Sequence, residues 1–311
     1  MPKQRSSSLY APRAWPLWCL VGVAWLISRL PCRWISSLGS FIGRIAYSLS
    51  GLSWASAWAS RRHITDTNIR LCFPELDAAA QRTLARDSFV HTAIGALELT
   101  QPWLNPGRDL RPSTQVYGLE HLAAAEATGR GVLLVGGHFS AIDIVSQGLS
   151  AAVDIDVIYR RNRNPVWEWL QVRGRSRYFG AVIEREDTRA IYRRLQAGRI
   201  IWYAADQDYG ARHSVFAPFF GIEAATISAT SRLAAFNRSQ VVFMSNYRDL
   251  GTNTWSIHFS PALEHYPSSD VIADATRINE IIEAAVRKHP EQYLWMHRRF
   301  KTRPPGADKL Y

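Results

Sequence analysis

His138 and Asp143 stand five positions apart in the run Val132-Leu133-Leu134-Val135-Gly136-Gly137-His138-Phe139-Ser140-Ala141-Ile142-Asp143. A histidine takes up a proton near neutral pH, and a nearby carboxylate can fix its tautomer and stabilise the imidazolium. That is two-thirds of a hydrolase-type triad without a nucleophile, an arrangement suited to activating a hydroxyl carried by the substrate. A lone histidine beyond a strand is more usually a structural hydrogen-bonding residue. The apolar run and the paired glycines are what lift this one above that reading. Ser140 lacks the G-x-S-x-G elbow that would project it as a nucleophile and reads as a helix-start residue. The nearest match to that elbow, Gly51-Leu52-Ser53-Trp54-Ala55, has no strand before it.

Two further groups of residues carry chemistry. Arg160, Arg161, Arg163, Arg173, Arg175 and Arg177 crowd one stretch in which Glu168 is the only acid. Guanidinium forks match phosphate oxygens, so the cluster as a whole reads as anion-binding rather than as a solvated helix face. Asp206-Gln207-Asp208 follows the apolar run Ile200-Ile201-Trp202-Tyr203. A strand ending in D-x-D is also how a metal-dependent glycosyltransferase holds a divalent ion, and it is the sharpest rival reading. The plain alternative for Asp208 is capping of the next turn. The mixed basic and aromatic run Trp295–Arg303 predicts phosphate or headgroup contact; no nucleic-acid-binding motif accompanies it.

These residues need a frame. Apolar runs at 132–135, 154–159, 200–204, 240–245 and 254–259 predict strands, and patterns at 165–173, 187–196, 224–236 and 274–288 predict helices between and after them. Alternation of this kind implies an α/β fold: a mixed, mostly parallel central sheet flanked by helices. His138 then lies at a strand's carboxyl end, where open sheets bind ligands. Asp143 falls just inside the apolar segment Ile142–Leu149, which reads as helical and places its carboxylate to bond the imidazole. The segment Val215–Gly221 is too broken for a helix and either lines an apolar channel or packs a loop on the core.

The chain has 311 residues, a formal net charge of +11, 47% hydrophobic residues and 12 tryptophans. The charge favours anionic partners. Cys19, Cys32 and Cys72 are odd in number with no C-x2-C spacing, which argues against a disulfide framework or zinc site and for a cytosol-facing location. Residues 14–28 are uncharged and Trp-rich, preceded by Lys3, Arg5 and Arg13 and followed by Arg29 and Arg33. They predict a membrane-anchoring helix, spanning or lying in the interface. Residues 34–60 read as a second amphipathic helix. The division expected is an anchor over 1–60 and an α/β domain over 61–311.

The chain resembles the bacterial lipid A biosynthesis acyltransferases of the lauroyl/myristoyl type, within the H-x4-D glycerolipid acyltransferase superfamily. The resemblance rests on the motif and on an ordered set of blocks across the chain. These are Asn68–Leu76, Tyr159-Arg160 with Asn164-Pro165, Gly174-Arg175, Trp202–Gly210, Val215–Gly221 with Ala224–Thr226, and Trp295–Pro304. It implies transfer of a fatty acyl chain from acyl carrier protein to a hydroxyl of a phosphorylated glycolipid, with no metal or organic cofactor. His138, Asp143, Arg175 and Asp206 would form the catalytic set, with Asp206 near His138 and holding Arg175 or a substrate hydroxyl. Arg160, Asn164 and Asp208 would bind substrate. The implied location is the bacterial inner membrane, with the catalytic domain facing the cytoplasm. Another glycolipid or aminolipid as acceptor, the glycosyltransferase, and a non-catalytic lipid-binding protein are the alternatives.

Overall fold

The computed structural model describes residues 9–51 and 56–311. Lys3, Arg5 and residues 52–55 of the elbow-like segment lie outside the described residues. The elements in chain order are α1 (Trp15–Ile27), α2 (Cys32–Leu49), α3 (Ser56–Cys72), α4 (Ala78–Glu98), α5 (Thr100–Leu104), β1 (Thr114–Tyr117), α6 (Leu119–Glu126) and β2 (Val132–Gly136). They continue with α7 (Ser146–Ala152), β3 (Ile155–Tyr159), α8 (Pro165–Arg175), β4 (Val182–Glu184), α9 (Thr188–Gln196) and β5 (Ile200–Ala204). The last are β6 (Ser214–Phe219), β7 (Ile222–Ile227), α10 (Ala229–Asn237), β8 (Gln240–Asp249), β9 (Thr254–Phe259) and α11 (Val271–Lys288).

Seven strands form one sheet in the order β1-β9-β8-β2-β5-β3-β4. Every pairing in it is parallel except β8 with β9. Side chains alternate across it: Leu133, Val135, Ile201 and Tyr203 enter one core, and Val132, Leu134, Ile200 and Trp202 face the other. Both faces are covered, which is why the central strands read as unbroken apolar runs rather than alternating ones. The expected fold class is the observed one. Polar caps start some of the helices around it. Asp77 Oδ1 accepts from the amides of Ala79 and Ala80, and Asp187 and Asp270 cap α9 and α11 in the same way.

Two local expectations differ, and one open alternative is decided. Asp143 lies in a turn, because the helix begins only at Ser146. Residues 224–227, expected to open a helix over 224–236, instead close strand β7, paired antiparallel with β6. The tight turn uses Phe220 and Gly221, with φ of 52° and 74°, as a two-residue hairpin loop demands. Phe219 and Phe220 enter the main core, so the Val215–Gly221 block packs the interior rather than lining a channel.

At the N-terminus, α1 has 13 residues, about 20 Å at 1.5 Å per residue. Among the described residues no helix is long and apolar enough to cross a membrane. Leu17, Trp18 and Val21 pack beside Trp103, Val166 and Leu170. Trp15, Leu20, Val23, Trp25 and Leu26 of α1 are exposed, as are Trp34, Phe41, Ile42 and Ile45 of α2. The other face of α2 is pressed onto α4. A Cβ on Gly39 would lie 2.7 Å from Ile94 Cα, and one on Gly43 2.5 Å from Val90 Cα.

Candidate active site

Parallel pairing puts Gly136 of β2 opposite Ala204 of β5. Two residues further along each strand come His138 and Asp206, so the register alone carries them to the same point above the sheet. There the Asp206 carboxylate grips the histidine twice. Its Oδ2 accepts the His138 backbone N–H at 2.8 Å, and its Oδ1 lies 2.6 Å from the ring Nδ1. An acceptor at Nδ1 places the ring proton there and leaves the lone pair on Nε2. Gln207 caps that lone pair, its amide nitrogen 3.1 Å from Nε2.

The dyad sits in a steep dielectric boundary. Asp206 is 2% exposed, whereas the His138 side chain is 31% exposed. Burial opposes the imidazolium, but the charge and hydrogen bond of Asp206 outweigh it and raise the His138 pKa above its ordinary value. Burial likewise opposes an ionised Asp206, and the facing His138 overrides it, holding the carboxyl far below the usual carboxylate range. Tyr293 also faces Asp206 and favours its ionised form. Burial, and then the Asp206 charge, push the Tyr293 phenol far up, so it stands there as a neutral donor.

Asp143 is therefore not the carboxylate that orients His138. Its Oδ1 accepts from Arg175 Nε and Nη2 at 3.3 and 3.2 Å. Arg175 is the last residue of α8, its side chain 22% exposed, its guanidinium 5.8 Å over the Trp103 ring. The expected Arg175–Asp206 pair does not form, because Asp206 is fully engaged with His138. The Arg175 and Asp143 charges both still reach His138, the first lowering and the second raising its pKa. Four residues expected in one site thus form two adjoining pairs, His138–Asp206 and Asp143–Arg175.

The model of the bacterial lipid A biosynthesis acyltransferase family matches residues 2–302. The chain is 34% identical to the lipid A biosynthesis lauroyltransferase of Escherichia coli K12 over 308 residues, covering 98% of each chain. It is also 34% identical to that organism's palmitoleoyltransferase, over 96% of this chain and 95% of the other. With its myristoyltransferase the identity is 28%, over 96% and 91%. The chain belongs to the bacterial lipid A biosynthesis acyltransferase family.

The other residues singled out in this acyltransferase take mostly structural posts. Asp208 Oδ2 accepts from the Thr302 amide at 2.6 Å, and Oδ1 from the Thr302 hydroxyl at 2.9 Å and the Gly210 amide at 2.8 Å. It clips the C-terminal segment to the sheet rather than facing substrate. Among the described residues no group of three or more His, Cys, Asp or Glu side chains is placed to hold a metal ion. Asp208→Ala is expected to cost about 3 kcal/mol, because three donors lose a charged acceptor. A lowered denaturant midpoint at unchanged slope checks it. Asn164, expected at the substrate, caps α8 instead: its Oδ1 accepts from Val166 and Trp167 amides. Arg160 is exposed and its charge acts on Tyr209, which in turn feels Asp206.

Within the arginine cluster, Arg161 pairs with Glu184, Arg177 donates to the Trp103 carbonyl, and Arg173 lies over Trp169. Glu168 faces inward, accepting from the Tyr159 hydroxyl and the Asn162 amide. The Trp295–Arg303 block is partly internal, with Arg298 and Lys301 exposed. Trp295 is buried, and Arg299 donates to the Ala225 carbonyl, Thr226 and Asn279. Asn68 donates to the carbonyls of Trp295 and His297 at 2.8 Å each, which accounts for its block at the other end of the chain. Sequence reasoning missed Gln207, Tyr293 and His297, which line a small cavity with His138 and Asp206. Gln207 sat inside a recognised block, but nothing in its spacing marks it as the cap on Nε2.

Proposed function

We propose that this acyltransferase moves a fatty acyl chain from a thioester on acyl carrier protein to a free hydroxyl of a phosphorylated lipid A precursor. The observation that carries the reading is the His138–Asp206 dyad at the sheet's carboxyl edge, in a chain of this family. The acceptor hydroxyl displaces Gln207 and gives its proton to His138 Nε2 as its oxygen attacks the thioester carbonyl. Arg175, partly exposed and beside the dyad, stabilises the oxyanion. The tetrahedral intermediate collapses to the new ester and a thiolate, which takes the proton back from the imidazolium. No acyl-enzyme is formed. Asp206 holds the tautomer and offsets the imidazolium charge throughout.

The same reading places the enzyme on the cytoplasmic face of the inner membrane. The exposed tryptophans and aliphatic residues of α1 and α2 support it, because indoles favour the headgroup level and an amphipathic helix buries its apolar face there. The net charge of +11 suits acidic lipid, phosphorylated acceptor and acidic carrier protein alike. Mass spectrometry of lipid A from cells with and without the enzyme tests the function. One secondary acyl chain should vanish with the gene product, and an unchanged lipid A rejects the acceptor. Attachment is tested with anionic vesicles at high salt. Full-length protein should co-sediment, and Trp25→Glu with Phe41→Glu should release it; recovery of the unaltered protein in the supernatant removes the apolar docking face.

A further inference from the structure

Behind the catalytic loop lies a buried ion pair that the proposed chemistry does not use. Arg248, on β8, and Glu98, at the end of α4, have side chains 1% and 3% exposed. Arg248 Nε donates to Glu98 Oε1 at 2.7 Å, and Nη2 donates to Oε2. Trp255 Nε1 donates to the same carboxylate at 3.2 Å. Nη1 has two protons and two partners, His91 Nδ1 and Ser140 Oγ, each 3.1 Å away. Burial, and then Arg248 itself, lower the His91 pKa to about 3, so His91 is a neutral acceptor. Four of the five guanidinium N–H groups are thus aimed, three at α4 and one at the loop that carries His138.

The backbone of Arg248 holds the same loop by a second route. Its amide donates to Gln292 Oε1 at 2.8 Å, and its carbonyl accepts from Gln292 Nε2 at 2.9 Å. Gln292 in turn accepts the Ser140 amide on its carbonyl at 2.8 Å, and the Leu294 amide donates to the His138 carbonyl at 3.0 Å. The register of the sheet explains why Arg248 is available. β8 matches β2 only as far as Met244 opposite Gly136 and then runs on beneath the turn that follows β2. α4 closes the other side, since a Cβ on Gly95 would lie 2.1 Å from the Ser140 carbonyl oxygen.

We infer that Arg248, braced by Glu98, is a positioning residue that fixes the His138 loop through Ser140 and Gln292. A buried ion pair is a poor source of net stability, but a fully bonded one specifies geometry. Here the geometry specified is that of Phe139-Ser140, the residues directly after the base. The inference rests on His138 being that base. A misplacement on the order of 1 Å at a reacting group costs up to about a hundredfold in rate.

Ser140→Ala tests this in the full-length enzyme in detergent, assayed with an acyl-carrier-protein thioester and a hydroxylated phosphoglycolipid. The change removes one acceptor and leaves Arg248 bonded to Glu98 and His91. We expect kcat to fall roughly tenfold with donor KM within about twofold. The acidic limb of kcat/KM should also move to lower pH, as the His138–Asp206 contact loosens. Asp206, Asp143, Arg175 and His297 are the charged or titratable groups that act on His138, and all stay in place, so a shift reports geometry. Arg248→Lys, which keeps a cation for Glu98 but lacks the fork, should move both readouts the same way and further. A folded Ser140→Ala enzyme with wild-type kcat and an unmoved limb overturns the inference. So does a change in KM alone. A loss of a thousandfold or more also overturns it, because Ser140 would then take part in the chemistry. His138→Ala, measured alongside, separates this from failure of the base assignment itself: substantial activity there removes the base and leaves the loop geometry without its consequence.

Discussion

His138→Ala should fold as the parent does and lose about 10²- to 10⁴-fold in turnover with the acyl donor saturating. The side chain is partly exposed and bonds only groups of the site, so its removal leaves the sheet untouched. The loss should fall on kcat rather than on KM, because the proton moves only as the hydroxyl attacks. The unaltered enzyme should gain activity with rising pH through a midpoint above the ordinary histidine value, since the imidazole acts when neutral and Asp206 raises its pKa. In His138→Ala that limb should disappear. A purified variant keeping more than about a tenth of the rate would contradict base catalysis by His138.

Asp206→Asn should be as damaging, by roughly 10⁴-fold, although no atom of Asp206 needs to touch substrate. An amide can present its NH2 to Nδ1, which moves the ring proton to Nε2 and leaves the base without its lone pair. The charge that stabilises the imidazolium goes too, so whatever activity remains should show its acidic limb at lower pH than the parent. The remaining amide oxygen still accepts the His138 backbone N–H, which is what turns the NH2 toward Nδ1. Asp143→Asn makes the control. Asp143 meets Arg175 and not the imidazole, so its loss should leave the tautomer alone and shift the limb only slightly. Steady-state rates of the two variants across pH decide between them; equal losses with equal limbs would remove the special place of Asp206.

The sheet was legible because its central strands are buried on both faces and announce themselves as apolar runs. β1 and β4, at four and three residues, are too short to show a period. The place of His138 beyond β2 was legible, but its carboxylate partner was read as Asp143 because proximity in sequence stood in for proximity in space. The better rule was available: β2 and β5 end in register, and each carries its acid–base residue two positions past the end. The matched blocks misled in a consistent way. Asn68, Asp208 and Arg299 tie distant segments together and Asn164 caps its own helix, and a stretch shared for folding looks the same as one shared for chemistry. Glu98 and Arg248 are 150 positions apart, and no local pattern in either segment points to the other.

The glycine seam between α2 and α4 has a consequence for how the protein can be taken apart. Gly39 and Gly43 let α2 come down onto the α4 backbone at Val90 and Ile94, and Tyr47 of α2 packs its ring on Phe89. One turn around the same α4, His91, Gly95 and Glu98 brace the catalytic loop. Trimming the chain after α2 to obtain a detergent-free enzyme would bare Phe89, Val90 and Ile94 to water on the very helix that backs the base. The greasy end of the molecule is therefore not a detachable handle. Solubility has to be engineered by repainting its outer face, at positions such as Trp34, Phe41 and Ile45, with the helix left in place.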